Sequence, residues 1–414
     1  MPNAPSMVKV VTSRNLGLDL VRATEAAALA AGRYVGLDHP DEADHIAGDA
    51  MYQILNSLDM DGYIVTGEEL KLGMHSPFDT GARIGTGKGP MLDVVVDPIE
   101  GRSLLASGRS GAIAACAVAP VGSMWAPQQA IYMEKIIVDA EVAPALVPEC
   151  MDAPAAWTLA LVARLKKKDI HDLVVFVLDR PRHAELVDEI RRAGARVMLR
   201  AAGDVAGALL VVAPNGRADM LMGVGGVSEG IMAACAVRAL GGGMLGRLAP
   251  QSDVEREEIK IAGLSTRQIL SAREIIASDN IFFAATGITS GELLEGVRYT
   301  SSGAHTFSMV MRAKTGTVRT NPLCCTVDNG DVIIIGSAFS YDAAEKGAVT
   351  AALSLGNLSR RCWNEGTNIL SQDTEADDLR CLALAIHELL GRLPVTMRSK
   401  NHPGVRCEDG EVID

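Results

Sequence analysis

Apolar positions follow helical spacing through the first sixty residues. Residues 14–31 are rich in Ala and Leu, and the apolar residues from Ala43 to Leu58 recur every three or four positions. This spacing predicts two amphipathic helices. Pro40 and the acidic residues after it are typical of a helix first turn, so we expect Asp44 near the start of the second helix.

Two short apolar runs come next, and each ends in carboxylates. Residues 63–66 precede Glu68 and Glu69, and residues 92–96 precede Asp97-Pro98-Ile99-Glu100-Gly101. Both runs predict strands. Hard cations such as Mg²⁺ prefer oxygen ligands and often hold a substrate phosphate as well, so the turn from Asp97 to Gly101 suggests metal-dependent phosphoryl chemistry.

The later sequence alternates strand-like and helix-like segments. Predicted strands are 173–178, 195–199, 208–212 and 218–222, and predicted helices are 183–193 and 228–240. This alternation favours a covered, mostly parallel sheet. Apolar runs at 278–285 and 307–311 suggest a return to a sheet. One strand at 332–335, helices at 342–358 and 375–390, and a polar tail are predicted to follow.

Composition limits the class of protein. The chain has 414 residues, of which 48% are hydrophobic, and can form two or three domains. Its 39 basic and 51 acidic residues give a formal charge of -12, which disfavours nucleic acid and anionic lipid as partners. Eight cysteines without a C-x-x-C pair are typical of a reducing cytoplasm. The longest apolar runs are shorter than the roughly 20 residues of a membrane span.

Other catalytic motifs are incomplete. Residues 85–89 lack the Ser or Thr of a nucleotide P-loop, the histidines lack zinc spacing, and no serine stands in G-x-S-x-G. Residues 223–230 lack dinucleotide-binding spacing, although their amides could receive an anion. Glu229 there is equally consistent with a carboxylate that complements a helix dipole and with a metal ligand.

The order of Asp44, Glu68, Asp97 and Glu100 resembles the metal-binding signature of the lithium-sensitive sugar and inositol phosphatases. Longer matches resemble the class II fructose-1,6-bisphosphatase and sedoheptulose-1,7-bisphosphatase family. The matching segments, which run in family order across roughly residues 15–320, are 60–68, 93–101, 131–135, 180–183, 203–206, 223–230 and 278–289.

This resemblance implies an α/β chain with a layered α/β/α/β/α sugar-phosphatase fold and two mixed sheets. We predict a metal-binding catalytic domain at 1–165 and an α/β substrate-binding domain at 166–326 that returns to the first sheet. A C-terminal strand and helical extension at 327–414 lies beyond the match.

The implied activity is that of a phosphoric monoester hydrolase acting on a sugar phosphate similar to fructose 1,6-bisphosphate. Two or three Mg²⁺ or Mn²⁺ ions would be bound by Asp44, Glu68, Asp97, Glu100, Glu229 and the carbonyl of Ile99. The sugar and its remote phosphate would be held by Tyr132, Arg180, Arg182, Asp204, Gly225, Gly226 and Glu229. Asp97, Glu68, Arg102 and Ser103 are the candidate catalytic residues.

The chain departs from the family pattern mainly at Arg102, which stands where the family has a threonine thought to activate the attacking water. A guanidinium has no acceptor lone pair, so it can neutralise phosphate or pair with a carboxylate but cannot relay a proton. Ser103 can substitute only if the turn is reshaped. Leu70 and Ala202 replace acidic residues, and residues 38–43 lack the family's lysine.

A phosphatase is the preferred interpretation, because all five candidate metal carboxylates remain and such a cluster is costly without a cation. One alternative is hydrolysis of another sugar or cyclitol phosphate. Others are a phospho-ligand-binding protein with weakened hydrolysis and a sugar-phosphate isomerase or lyase. The family resemblance further suggests a cytoplasmic homo-oligomer, either a dimer or a tetramer.

Overall fold

The computed structural model describes residues 15–320 apart from 215 and 302, together with strand segments 321–328, 331–337, 395–399, 402–408 and 411–413. The described helices are α1 (Leu16–Ala31), α2 (Pro40–Asn56), α3 (Glu69–Leu72), α4 (Arg102–Ala106), α5 (Ala155–Lys166), α6 (Ala184–Arg192), α7 (Asp204–Val212), α8 (Val227–Ala239), α9 (Asp253–Ile261) and α10 (Ala272–Ile275). The strands are β1 (Asp61–Ile64), β2 (Arg83–Ile84), β3 (Met91–Glu100), β4 (Ile113–Pro120), β5 (Tyr132–Val138), β6 (Val174–Leu178), β7 (Arg196–Arg200), β8 (Met220–Gly226), β9 (Gly243–Leu248), β10 (Leu270–Ser271), β11 (Phe282–Gly287), β12 (Arg298–Thr300), β13 (Gly303–Arg312), β14 (Thr317–Asp328), β15 (Asp331–Ser337), β16 (Val395–Ser399), β17 (His402–Glu408) and β18 (Glu411–Ile413).

The chain divides into two units, of which the first comprises residues 1–296 and 309–318. In this unit one sheet has the strand order β11-β4-β3-β1-β2, and a second has the order β10-β9-β5-β8-β6-β7. Both sheets are mixed. β1 and β3 are parallel while β3 and β4 are antiparallel, and β6 is parallel to β7 while β5 is antiparallel to both its neighbours.

Three layers of helices enclose these two sheets. Helices α1 and α2 pack on the first sheet, α7 and α8 contact strands of both sheets, and α5 and α6 share a core with the outer side of the second. The central helices are apolar on all sides and deeply buried, as expected for a layer covered on both faces. The layered α/β/α/β/α fold with two mixed sheets is therefore confirmed.

Several sequence predictions of individual elements need correction. The predicted strand at 208–212 is helical and belongs to α7, because a short apolar run has no period that separates a strand from a buried helix. The strand predicted to end at residue 96 continues to Glu100. The second sheet is mixed rather than mostly parallel, since β5, β9 and β10 join it in antiparallel pairs.

The second unit comprises residues 297–308 and 319–414. In it β12 pairs with the start of β13, β14 and β15 form an antiparallel pair, and β16, β17 and β18 form an antiparallel sheet. The strand predicted at 332–335 is confirmed within β15. The predicted polar tail instead contains three strands, whose sequence alternates apolar and polar residues. The helices predicted at 342–358 and 375–390 lie outside the described residues, and the predicted division at 165 and 326 stays a prediction.

None of the helices that the structure describes combines the length and hydropathy that a bilayer-crossing segment requires.

Candidate active site

The end of β3 supplies two buried carboxylates. Asp97 is 5% exposed and Glu100 is 3% exposed. The pairing of β3 with β4 is irregular between these two residues, and the Ile99 N–H donates to Asp97 Oδ1 at 3.1 Å. Gly101 then adopts a φ of 95°, which favours glycine, and begins the turn into α4. The local backbone thus ends the strand with both carboxylates inside the protein.

A lysine joins two further carboxylates. Glu68 precedes α3, and Glu229 lies in the first turn of α8. The Lys71 ammonium donates to Glu68 Oε1 at 2.6 Å and also contacts Glu229 Oε1. Glu229 Oε2 accepts a hydrogen bond from the Ser228 hydroxyl at 2.8 Å. Lys71 was not among the residues predicted from the sequence.

Arg102 pairs with the acidic start of α2. Its Nη2 lies 2.6 Å from Asp41 Oδ1, and its Nε lies 3.5 Å from Asp44 Oδ1. Of the two roles that the sequence left open for this guanidinium, pairing with a carboxylate is the one observed. Asp44 is placed in the first turns of α2, as predicted.

Two arginines follow β6. Arg180 Nη1 donates to the backbone carbonyls of Asp179 at 3.0 Å and Ala201 at 2.6 Å. Arg182 Nη2 donates to the Val224 carbonyl at 2.8 Å, and its guanidinium carbon lies 5.2 Å from the centre of the Tyr132 ring. A guanidinium has five N–H donors, so these contacts orient both side chains while other donors can still meet an anion.

A buried ion pair lies beside them in the second sheet. The Lys135 side chain is fully buried on β5, and its Nζ lies 2.5 Å from Asp204 Oδ2 at the start of α7. A Cβ added to Gly225 would meet that oxygen at 1.8 Å, and one added to Gly226 would meet Glu229 Oε2 at 1.9 Å. Both glycines are required because the carboxylates press against the backbone of β8.

These elements surround a cavity of about 440 Å³. The predicted site residues that line it are Glu68, Ile99, Glu100, Arg102, Ser103, Tyr132, Arg180, Arg182, Asp204, Gly225, Gly226 and Glu229. Asp44 lines a neighbouring cavity of about 120 Å³, which also includes Glu68. Asp97 lines neither cavity and lies buried behind them.

Burial and mutual repulsion dominate the electrostatics of the carboxylates. Burial, reinforced by the charge of Asp204, raises the pKa of Glu100 to about 8. Burial and the nearby Glu68 and Glu100 raise the pKa of Asp97 well above its ordinary value. Burial also acts to raise the pKa of Glu229, but Lys71 outweighs it and brings that pKa down to about 2. The Lys71 ammonium therefore favours the ionised form of Glu229, whereas burial favours the protonated forms of Asp97 and Glu100.

The donor set suits a divalent cation in its chemistry. Carboxylate and carbonyl oxygens are the ligands that Mg²⁺ and Mn²⁺ prefer. Glu100 Oε2 is buried and accepts no hydrogen bond from any described residue, so an acceptor is left for a cation. As they lie, no three His, Cys, Asp or Glu side chains within the described ranges stand close enough to hold an ion. Lys71 and Arg102 are the cations that the outer carboxylates contact.

One cavity is lined by carboxylates, by arginines and by the N-termini of two helices. This combination is typical of an enzyme that acts on a phosphate ester. The carboxylates suit hard cations, and the start of α7 and of α8 carries the positive end of a helix dipole. This is the class of metal-dependent phosphatases.

Comparison with known proteins identifies the family within that class. The model of a family described as bacterial fructose-1,6-bisphosphatase, glpX-encoded, matches residues 14–322. The chain belongs to this family, whose members are metal-dependent phosphoric monoester hydrolases. A family described as an uncharacterized protein conserved in archaea matches residues 386–414.

Individual relatives agree with this assignment. The chain is 36% identical over 321 residues to the fructose-1,6-bisphosphatase class 2 of Haemophilus influenzae. This alignment covers 74% of this chain and 95% of the relative. It is also 36% identical over 320 residues to the fructose-1,6-bisphosphatase 1 class 2 of Escherichia coli K12, covering 74% of this chain and 94% of the relative.

Lys71 and Lys135 are two lysines of the site that the sequence predictions missed. Lys135 could have been predicted as part of a buried ion pair, because a lysine inside the apolar strand from Tyr132 to Val138 requires a buried partner. Almost nothing in the sequence around Lys71 indicates its role in the site. Its contact with Glu68 is a local i,i+3 pair, but its contact with Glu229 spans 158 residues and depends on the tertiary fold.

Proposed function

We propose that this protein hydrolyses a phosphate monoester of a sugar bisphosphate such as fructose 1,6-bisphosphate and requires Mg²⁺ or Mn²⁺. The observation that carries the proposal is the single cavity of about 440 Å³ lined by both carboxylates and arginines. Phosphoryl transfer needs a cation site for the reacting phosphate and a second anchor for the rest of the substrate. The residues of this cavity provide both.

We assign the metal site to Asp44, Glu68, Asp97, Glu100, Glu229 and the carbonyl of Ile99. When bound, the metal ions would polarise the reacting phosphate and lower the pKa of a coordinated water. Glu100 supplies a buried carboxylate oxygen without a described hydrogen-bond donor. Its raised pKa means that it must release a proton to bind a cation at neutral pH.

We assign substrate binding to the opposite wall of the cavity. Arg180 and Arg182, held by backbone carbonyls, would meet the remote phosphate through charge-assisted hydrogen bonds. Tyr132 lies against Arg182, and Asp204 offers a carboxylate to a sugar hydroxyl. Gly225 and Gly226 leave room beside the backbone of β8 for the Asp204 and Glu229 carboxylates that belong to this part of the cavity.

The attacking water requires a proton acceptor, and Arg102 cannot be one. Ser103 lines the cavity next to Arg102, so we propose that the turn is reshaped enough for its hydroxyl to take the role that the family gives to a threonine. Arg102 then acts on the carboxylates of α2, because its guanidinium pairs with Asp41 and Asp44. Asp97 and Glu68 complete the proposed catalytic group.

A phosphate-release assay tests this proposal. Purified protein would be incubated with fructose 1,6-bisphosphate, sedoheptulose 1,7-bisphosphate or an inositol phosphate, each with Mg²⁺, Mn²⁺ or a chelator. Release should need the metal, and Glu68→Gln should lower it by about 100-fold or more since a metal ligand is lost. The exposed Glu185→Gln on α6 is the matched control and should behave as wild type.

A second candidate function is binding of a phosphorylated sugar with weakened hydrolysis. The pairing of Arg102 with Asp44 favours it, since a proposed metal ligand is already neutralised. Calorimetric binding of a sugar phosphate without release of inorganic phosphate would establish this function instead. Conversion of the substrate without phosphate release, detected by NMR, would point to an isomerase or lyase.

We further propose a cytoplasmic homo-oligomer, either a dimer or a tetramer, on the basis of the family. Cys116, Cys150 and Cys235 are buried free thiols, which is consistent with a reducing compartment. Light scattering of the full chain measures the oligomeric state, and a monomeric mass would contradict this part of the proposal.

A further inference from the structure

Lys71 places a positive charge at the centre of the proposed metal site. Its Nζ lies 2.6 Å from Glu68 Oε1 and also contacts Glu229 Oε1. The two glutamates come from different elements, one before α3 and one in the first turn of α8. The single ammonium is therefore the group that brings these two carboxylates together.

An ammonium and a divalent cation cannot share these two oxygens. Mg²⁺ and Mn²⁺ coordinate carboxylate oxygens at about 2.0 to 2.2 Å and carry two positive charges, so an ammonium on the same oxygens is excluded both by space and by repulsion. Each carboxylate contact made by Lys71 is thus a contact that a metal ion has to take over. Glu229 Oε2 already accepts a hydrogen bond from the Ser228 hydroxyl, so Oε1 is the oxygen for which Lys71 and the metal ion compete.

Lys71 is placed so that it can leave. Its side chain is 27% exposed, whereas those of Glu68 and Glu229 are 16% and 10% exposed. It lies on α3, a helix of four residues that ends at Gly73. A lysine has a flexible four-carbon stem, so the ammonium can reach solvent without a change in the sheets.

We infer that Lys71 is an internal counter-cation that competes with a divalent metal ion for Glu68 and Glu229 and must be displaced when the ion binds. This inference rests on the proposed metal site and adds Lys71 as the residue that controls how tightly this site binds a metal ion. It predicts that loss of the lysine strengthens binding of the metal ion.

Titration with Mn²⁺ alone, followed by the electron paramagnetic resonance signal of the free ion, tests the inference without an activity assay. Wild type, Lys71→Met and Lys88→Met would be compared, because Lys88 is an exposed lysine outside the cavity. Lys71→Met should bind Mn²⁺ with a Kd about tenfold lower than wild type, as expected when a competing charge pair is removed. Lys88→Met should bind as wild type does.

Equal or weaker binding by Lys71→Met would overturn the inference while leaving the proposed metal site intact. Absence of Mn²⁺ binding in wild type and both variants would overturn the metal site and the inference with it. If Lys71→Met does not fold, Lys71→Gln keeps a polar side chain and removes the charge. Its melting temperature should rise more on addition of Mn²⁺ than that of wild type, and an equal rise would also overturn the inference.

Discussion

Replacing Lys135 with Met should destabilise the protein strongly, even though methionine fits an apolar strand. The Lys135 side chain is fully buried, Asp204 is 5% exposed, and their charged atoms lie 2.5 Å apart. The substitution leaves the Asp204 carboxylate buried without its cation. Glu100 lies close enough for its pKa to be raised by Asp204, so the remaining charge also faces a second carboxyl group.

The size of the effect follows from this burial. Removing one partner of a buried ion pair typically costs about 3–5 kcal/mol, because the other charge stays in a medium of low polarity. At an unfolding entropy of about 2.1 cal/mol/K per residue, a unit of about 300 residues changes its melting temperature by roughly 1.6 °C per kcal/mol, so a fall of roughly 5–8 °C is expected. Lys260→Met is the control, since Lys260 pairs with Glu257 on the surface, where ion pairs contribute about 0–1 kcal/mol.

Thermal unfolding followed by circular dichroism in metal-free buffer measures both changes. The double substitution Lys135→Met with Asp204→Asn should recover at least half of the loss, because it removes the unpaired charge while the methionine still fills the strand. If Lys135→Met lowers the melting temperature no more than Lys260→Met does, the buried ion pair does not have the stabilising role given to it here. The same conclusion follows if the double variant is less stable than Lys135→Met alone.

Three further measurements test other parts of the site. The pKa of Glu100 is about 8 in the folded state and 4.5 ordinarily, so the folded state keeps this proton to a higher pH than the unfolded state. The stability of the metal-free protein should therefore fall as the pH rises from about 4.5 to 8. Melting temperatures measured across this range should fall less for Glu100→Gln than for wild type. Gly225→Ala should cost about 1–3 kcal/mol in chemical denaturation, since its methyl group would meet Asp204 Oδ2 at 1.8 Å. Gly48→Ala in α2 should be neutral or stabilising, because its methyl group would meet Pro98 Cγ at an ordinary contact distance of 4.0 Å. Arg102→Thr should raise metal-dependent phosphate release by about tenfold or more, because it adds a hydroxyl at the family's own position, next to that of Ser103, and frees the Asp44 carboxylate. Arg102→Lys should not raise it, and a fall with threonine would show that the guanidinium itself assists the reaction.

Most residues of the candidate site were predicted from the family resemblance, whose motifs stand at the ends of patterned elements. The run before Asp97 reads as a strand and the segment before Glu229 as a strand followed by a helix, so the pattern places both carboxylates where a predicted strand ends. The layered fold followed from a family resemblance that spans most of the chain.

What the sequence did not predict has physical causes. The segment from Asp204 to Val212 is buried along its whole length, so its pattern lacks the polar face that marks a helix. The continuation of β3 to Glu100 depends on its irregular pairing with β4, which no local pattern reports. The contact of Lys71 with Glu229 joins elements that only the tertiary fold brings together.

The three cationic side chains that balance the carboxylates differ in burial, and burial determines what each can do. Lys135 is fully enclosed, so its ion pair with Asp204 can only be a permanent part of the fold. The side chains of Lys71 and Arg102 are 27% and 18% exposed, so part of each already borders solvent. At the proposed metal site, Lys71 and Arg102 would have to give up their contacts with Glu68, Glu229 and Asp44, whereas the pair of Lys135 with Asp204 would stay in place. The carboxylates contacted by Lys71 and Arg102 are then the adjustable part of the proposed metal site, whereas Asp204 belongs to its fixed substrate wall.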